Sequence, residues 1–288
     1  MTALFALATS LLWGLADFGG GLLTRRIPAL TVVVVSQTIA AAVLAMVVVT
    51  TGAWDEAGPR LWYAVGAGVV GTVAMLCFYQ ALALGPMGVV SPLGSLGVAV
   101  PVGVGLIVGE RPGLLQFAGI AVAVVGVVLA GGPELRGAPV QRQALLLTLT
   151  AAIGFGAVMA LIAEASASVN GLFLALFVQR VTNVAVGGAA LWASARRGGR
   201  TLPEGGGPRI ILASLPALAF VGLADVAANG TYSIAAQNGP VTVAAVLANL
   251  YPVVTVLAAL VLLKERLKVI QATGAGLALV GTILLAAG

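Results

Sequence analysis

Apolar runs of about 18–27 residues, parted by short polar or Gly/Pro gaps, fill nearly the whole chain. A helix rises ~1.5 Å per residue, so each run can cross the ~30 Å hydrocarbon layer of a bilayer. Ten runs can be placed, at roughly 3–23, 29–51, 61–84, 87–109, 114–132, 144–164, 170–194, 210–236, 240–263 and 269–287. The fold class expected is all-α integral membrane, with ten transmembrane helices. No basic residue precedes the first run, so it reads as a retained span rather than a cleavable signal. The longest gap, 195–209, holds Arg196, Arg197, Arg200 and Gly205–Gly207 and reads as a flexible linker.

One phrase occurs twice. Glu110, Arg111, Gln116, Gly119 and Gly126 recur as Glu265, Arg266, Gln271, Gly274 and Gly281, a constant offset (265 − 110 = 155). Upstream, Phe78, Ala81, Gly85 and Pro86 recur as Tyr232, Ala235, Gly239 and Pro240 at offset 154. The chain is therefore read as a duplication: 1–132 the first five-helix repeat, 133–143 a linker, 144–288 the second. Five crossings are an odd number. The second copy then enters the membrane upside down, giving two inverted five-helix repeats.

Composition agrees. Hydrophobic residues are 60% and charged residues 8% of 288, against ~45–50% and ~25% in soluble domains. The net charge of +5 does not point to nucleic acid, because the basic residues sit in gaps between apolar runs, where they orient the chain. Gaps after helices 1, 5, 7 and 9 hold eleven of the 14 Lys and Arg: Arg25, Arg26, Arg136, Arg142, Arg196, Arg197, Arg200, Arg209, Lys264, Arg266 and Lys268. Gaps after even-numbered helices hold Arg60 and Arg111, and Arg180 lies inside helix 7. Both termini are accordingly expected on the outer face. There is no histidine, and the single Cys77 can form no internal disulfide. Neither a cofactor nor a metal is expected.

Charge inside a span is costly and usually functional. Asp17 in helix 1, Arg180 in helix 7 and Asp225 in helix 8 are the candidates. Ser10, Trp13, Gly14 and Asp17 share one helix face, as do Asp225, Asn229 and Tyr232. Both stripes are expected to line a cavity, since lipid would penalise them. Tyr79, Gln80, Ser91, Ser95, Asn249 and Tyr251 are weaker additions. Plainer roles stand beside these. Arg180 and Asp225 would equally form a packing ion pair, Asp17 could face an outer vestibule, and Trp13 could fill space. Ser91 could bond to backbone one turn back, and Tyr251 could pack at the Pro252 kink. Pro92, Pro101, Pro216 and Pro252 mark possible helix interruptions, those in helices 4 and 9 falling in corresponding spans.

Two motif matches are set aside. Gly66-Ala-Gly-Val-Val-Gly71 fits a dinucleotide fingerprint but lies within a span with no preceding strand, and Asn229-Gly-Thr231 fits a glycosylation acceptor at membrane depth. There is no Walker lysine loop.

The sequence resembles the drug/metabolite transporter superfamily, specifically its ten-helix EamA type. Trp13-Gly14, Phe78-x-x-Ala81-Leu82, Gly109-Glu110-Arg111, Gln116-x-x-Gly119, and Lys264-Glu265-Arg266 with Gln271-x-x-Gly274 carry the resemblance. Within that group it is similar to the YddG-type amino-acid exporters. The resemblance implies secondary transport by alternating access across a bacterial inner membrane, with a central cavity shared by both repeats; a monomer is the expected form, though the sequence does not fix the oligomeric state. Phe155-Gly156 stands in helix 6 where helix 1 has Trp13-Gly14, which implies an asymmetric cavity.

The leading expectation is an exporter of aromatic and other neutral amino acids. Asp17 or Asp225 would meet the substrate ammonium; Asn229, Tyr79, Tyr232 and Arg180 would meet its carboxylate, with Trp13, Gln80, Ser91 and Asn249 completing the site and an aspartate available for proton coupling. An exporter of drugs or organic cations is the alternative. An intramembrane aspartyl protease is the remote one, since Gly-Leu-Ala-Asp occurs at both 14–17 and 222–225.

Overall fold

The computed structural model describes residues 2–100, 113–131, 141–166, 168–238, 244 and 247–287. All the regular structure in these residues is helical. In hydrocarbon each backbone N–H and C=O must be satisfied within its own segment, and uninterrupted apolar runs do this as helices. The principal helices are α1 (Thr2–Thr24), α2 (Ala29–Thr51), α3 (Leu61–Leu84), α4 (Met87–Gly94), α5 (Leu114–Gly131), α6 (Arg142–Ala165), α7 (Val169–Arg196), α8 (Leu215–Gln237), α9 (Tyr251–Leu262) and α10 (Val269–Ala287). Six of them are long and apolar enough to span a membrane on their described residues alone.

Local sequence sets the boundaries. Gly52 ends α2 in a left-handed turn (φ 68°), its N–H bonded to Val48 O. Ser168 opens α7, its Oγ accepting from the Gly171 N–H at 3.0 Å. Gln271 of the doubled phrase reaches back from the first turn of α10, and its Oε1 accepts from the Lys268 N–H at 3.2 Å. The other copy, Gly109-Glu110-Arg111, lies outside the described residues, as do Pro101, Gly239-Pro240 and most of the 133–143 gap. The 195–209 segment is less free than its composition implies. Thr31 Oγ1 donates to Thr201 O at 2.7 Å, and Pro203 is buried.

Helix pairs come in exchanged sets. α1 packs on α8 and α9, while α6 packs on α3 and on the turn that follows α4. α2 packs on α7 and α5 on α10. Adding five to a helix number carries the α1 pairings onto those of α6 and returns α2–α7 and α5–α10 to themselves, as a pseudo-two-fold axis relating two repeats requires.

Glycines repeat the relation at atomic scale. A methyl at Gly14 would lie 2.6 Å from Tyr251 O and 2.5 Å from Val254 Cβ. One at Gly156, its counterpart, would strike Gly97 O and lie 2.6 Å from Val100 Cβ. Tyr251 and Val254 follow Gly97 and Val100 at the same offset (251 − 97 = 154). Gly68 and Gly222, also 154 apart, press on the backbones of α7 and α2 in turn. Small residues at such crossings let backbones approach where no hydrophobic effect drives helices together. Gly14→Ala is therefore expected to destabilise by about 1–3 kcal/mol through overpacking. Gly230→Ala, where nothing lies within 4 Å, should be neutral or slightly stabilising. Thermal unfolding of the two variants in detergent checks this.

Side-chain size is sorted as lipid demands. Alanines crowd the buried positions, while Leu4, Trp62, Leu114, Val261 and Val269 point outward. Trp54 and Trp62 lie at one end of the bundle, and Trp192, with the Arg196 guanidinium 4.3 Å over its ring, lies at the other. Tryptophan belongs at membrane interfaces. Trp13, in the middle of α1, is the exception among the four.

Candidate functional site

Helices 4 and 9 both lose their regular course, and at equivalent places. After α4 the chain tightens into a 3₁₀ turn, Ser95–Val98. Before α9, residues 249–250 form a turn, and Pro252 sits in the first turn of the helix. Asn249 stands 154 positions after Ser95. Pro92, inside α4, removes one backbone donor, and Gly94 and Gly97 lower the cost of the change of pitch. The prolines are not equivalent between the repeats, but the breaks are.

Between these breaks lies a cavity of about 410 Å³. It reaches the bundle end that carries the α6–α7 turn, at Ser166 and Leu172. Toward the end that carries Arg25, Lys264, Arg266 and Lys268 it stops at Tyr79 and Ser95. The Tyr79 ring lies directly on Gly20, where a methyl would meet its Cζ at 2.5 Å. Below that floor, Glu265 ties three segments together. Lys264 takes a left-handed turn (φ 53°), aiming the Glu265 carboxylate at α4. Its Oε1 accepts from the Met87 N–H at 3.1 Å and its Oε2 from the Gly88 N–H at 3.2 Å. Arg25 Nη2 lies 3.2 Å from the same carboxylate.

The α8 stripe faces the cavity, and the α1 stripe does so in part: Ser10 is buried outside it and Gly14 is packed against α9. Trp13 and Asp17 come from α1, and Asp225, Asn229 and Tyr232 from α8. The Trp13 ring lies 6.0 Å from Tyr232 and 6.1 Å, edge-on, from Tyr251. Arg180 and Asp225 form the anticipated ion pair, Nη2 to Oδ2, at 2.7 Å. Asn229 Nδ2 donates to the Asp225 carbonyl at 2.7 Å and to its Oδ1 at 3.3 Å. Asp225 is thus held from two helices. Asp17 makes no hydrogen bond or ion pair with any described residue. Paired charge cancels, and the carboxylate of Asp17 is left over.

Tyr79, Ser95, Asn249 and Tyr251 also line the cavity. Gln80 does not. It is exposed, because the residue after Tyr79 is turned ~100° around the helix. Ser91 does not either. It is buried one turn nearer the basic end than Ser95, beneath the cavity floor. Glu164 is exposed at the end of α6. The glycosylation-like Asn229-Gly-Thr231 is structural: Thr231 Oγ1 meets Thr9 Oγ1 at 2.8 Å across the α1–α8 contact.

Sequence reasoning missed Gln179 and Asn183 on α7, which line the cavity beside Arg180. Their i, i+4 spacing was the available signal. It also missed Met75 and Met159, which apolar composition hides, while Phe155, read as the counterpart of Trp13, does line the cavity.

The sequence profile of the EamA-like transporter family matches residues 1–132 and 142–287. A solved structure titled only as the crystal structure of a protein covers 98% of this chain and 95% of its own, with a TM-score of 0.60 at 20% identity, a likeness of fold. No curated protein matches the sequence.

Proposed function

The chain belongs to the EamA-like transporter family, a ten-helix membrane fold of two repeats within the drug/metabolite transporter superfamily, and on that premise we propose that it exports neutral amino acids, as YddG-type exporters do. The family's members are transporters, not enzymes. Asp225 is in any case committed to Arg180, so it forms no proton-sharing dyad with Asp17 of the kind an aspartyl protease needs.

One observation carries the reading: a cavity with an unpaired carboxylate on one helix and a guanidinium across from it. A zwitterion offers an ammonium to Asp17 and a carboxylate to the guanidinium. Arg180 spends Nη2 on Asp225, and its Nε has no partner among the described residues, so the five-donor fork is not saturated. Trp13, with Tyr232 and Tyr251 near it, offers a ring face to the ammonium beside Asp17. The same aromatic group beside Asp17 favours an organic cation as the second reading.

By the excess of Lys and Arg, the floor end faces the cytoplasm, both termini face the periplasm, and the cavity as described is open outward. Alternating access across the inner membrane would then load it from the other side. A cysteine at either terminus of a Cys77→Ser variant should react with an impermeant thiol reagent in intact cells; protection of both would reverse the orientation.

Purified protein in proteoliposomes, loaded with a labelled amino-acid panel with and without a pH gradient, tests the substrate. Exchange of neutral amino acids is expected, and Asp17→Asn should reduce it at least tenfold. Transport of organic cations alone would favour the second reading. Full activity in Asp17→Asn would remove Asp17 from the site.

A further inference from the structure

The two repeats place opposite chemistry at equivalent points of the cavity. α1 maps onto α6 at offset 142 (156 − 14 = 142) and α3 onto α8 at offset 154. Asp17 then corresponds to Met159, Asp225 to Gly71, and Asn229 to Met75, and all six line the cavity. The aromatic contacts are mirrored too. Trp13 lies 6.0 Å from Tyr232, and their counterparts Phe155 and Phe78 lie 5.4 Å apart, edge to face. On the α1–α8 side the pair carries an indole N–H and a phenol O–H. On the α3–α6 side it is hydrocarbon alone.

Resting on the amino-acid reading above, we infer that the cavity is bipolar and selects amphipathic substrates. The charged head is held at the α1–α8 pole by Asp17, with Arg180 reaching that pole from α7 through its pair with Asp225. An unbranched, thioether or aromatic tail lies against Met75, Phe78, Phe155 and Met159 at the α3–α6 pole. Several facts point the same way. Met75 and Met159 supply a pliant, polarizable wall there, and the amides of Gln179 and Asn183 are gathered against Gly71, one turn along α3 from Met75. The apolar pole continues toward the mouth through Ile162, Leu172 and Leu176, so a longer tail has room without displacing the head. Large apolar amino acids are therefore the substrates, and small or doubly charged ones are excluded on physical grounds: the first leave the pole unfilled, the second bury charge in it.

A homologous series tests this in proteoliposomes. Alanine, 2-aminobutyrate, norvaline and norleucine differ by one methylene each. KM is expected to fall about fourfold per added methylene, the value of ~0.8 kcal/mol for a buried CH₂. Met159→Ser and Met75→Ser should each narrow the alanine-to-norleucine ratio of KM at least threefold, while Asp17→Asn should weaken every member alike. Two methionine variants, each facing the cavity, guard against one failing to fold. Equal KM across the wild-type series would overturn the bipolar cavity and leave amino-acid export standing. If no amino acid is carried, n-alkylamines of rising length serve as probes. Binding that tightens with chain length keeps the bipolar cavity and discards the amino-acid reading, and binding indifferent to length overturns the inference.

Discussion

Asp225→Ala should abolish transport and lower stability by about 3–5 kcal/mol, because it leaves Arg180 charged and uncompensated inside the membrane. The guanidinium is nearly enclosed, with 7% of its side chain exposed against 19% for Asp225. Asn229 suffers too, losing the Oδ1 acceptor it shares at 3.3 Å. Removing both charges is a different perturbation. Arg180→Met with Asp225→Leu replaces an ion pair by apolar side chains, which is often neutral or stabilising. The double variant is expected to regain most of the lost thermal stability in detergent and none of the transport. Stability restored together with transport would show that the pair only fixes packing. A double variant as unstable as Asp225→Ala would mean the loss arises elsewhere.

The second large effect concerns the floor. Glu265→Ala removes charge-assisted bonds to two backbone N–H groups at the start of α4, each facing the positive end of a helix dipole. Arg25 is a third exposed and adds little. The loss should be about 2–4 kcal/mol, drawn from the closed arrangement of the basic end. A readout is a cysteine at Ser95 in a Cys77→Ser background. It should react with an impermeant thiol reagent only from the side of the cavity mouth in the parent, and from the basic side as well, several-fold faster than the parent, once Glu265 is alanine. Glu265→Gln, which keeps an acceptor, should fall between. Labelling confined to the mouth side in Glu265→Ala would show that the floor closes without it.

The apolar runs made most helix boundaries legible. The 61–84 run coincides with α3 because Pro59 and Arg60 precede it and Gly85-Pro86 follow, each a signal independent of packing. Helix 8 was harder. Its break falls at Ser214, between the short helix Pro208–Ala213 and α8, and Pro216 sits in the new first turn, where its missing N–H costs little. In the site, polar residues within spans were legible because lipid leaves them few other places: Trp13, Asp17, Asp225, Asn229 and Tyr232 all reached the cavity. Gln80 misled, since a polar side chain at a helix end can face outward. Met159 gave no signal, and Phe155 gave only its place opposite Trp13 in the repeat. An apolar residue in a spanning helix reads the same whether it faces a cavity or lipid, and only the packed bundle separates the two. Glu265 was read as a mark of duplication and orientation, and its reach to α4 depends on a left-handed turn at Lys264 that no glycine announces.

The mirrored crossings at Gly14 and Gly156 also constrain what the opposite mouth would look like. Under alternating access, each repeat would take up the posture its partner holds now. The present mouth residues Ile162, Ala163 and Ser166 map by the offset of 142 onto Gly20, Gly21 and Thr24. A greasy present entrance would be answered by an opposite one edged almost entirely by bare backbone, blocked at present by the Tyr79 ring on Gly20 and by Leu82 and Met87 on Gly21. An arriving solute would meet two exposed peptide faces there, and one phenol would serve as the door.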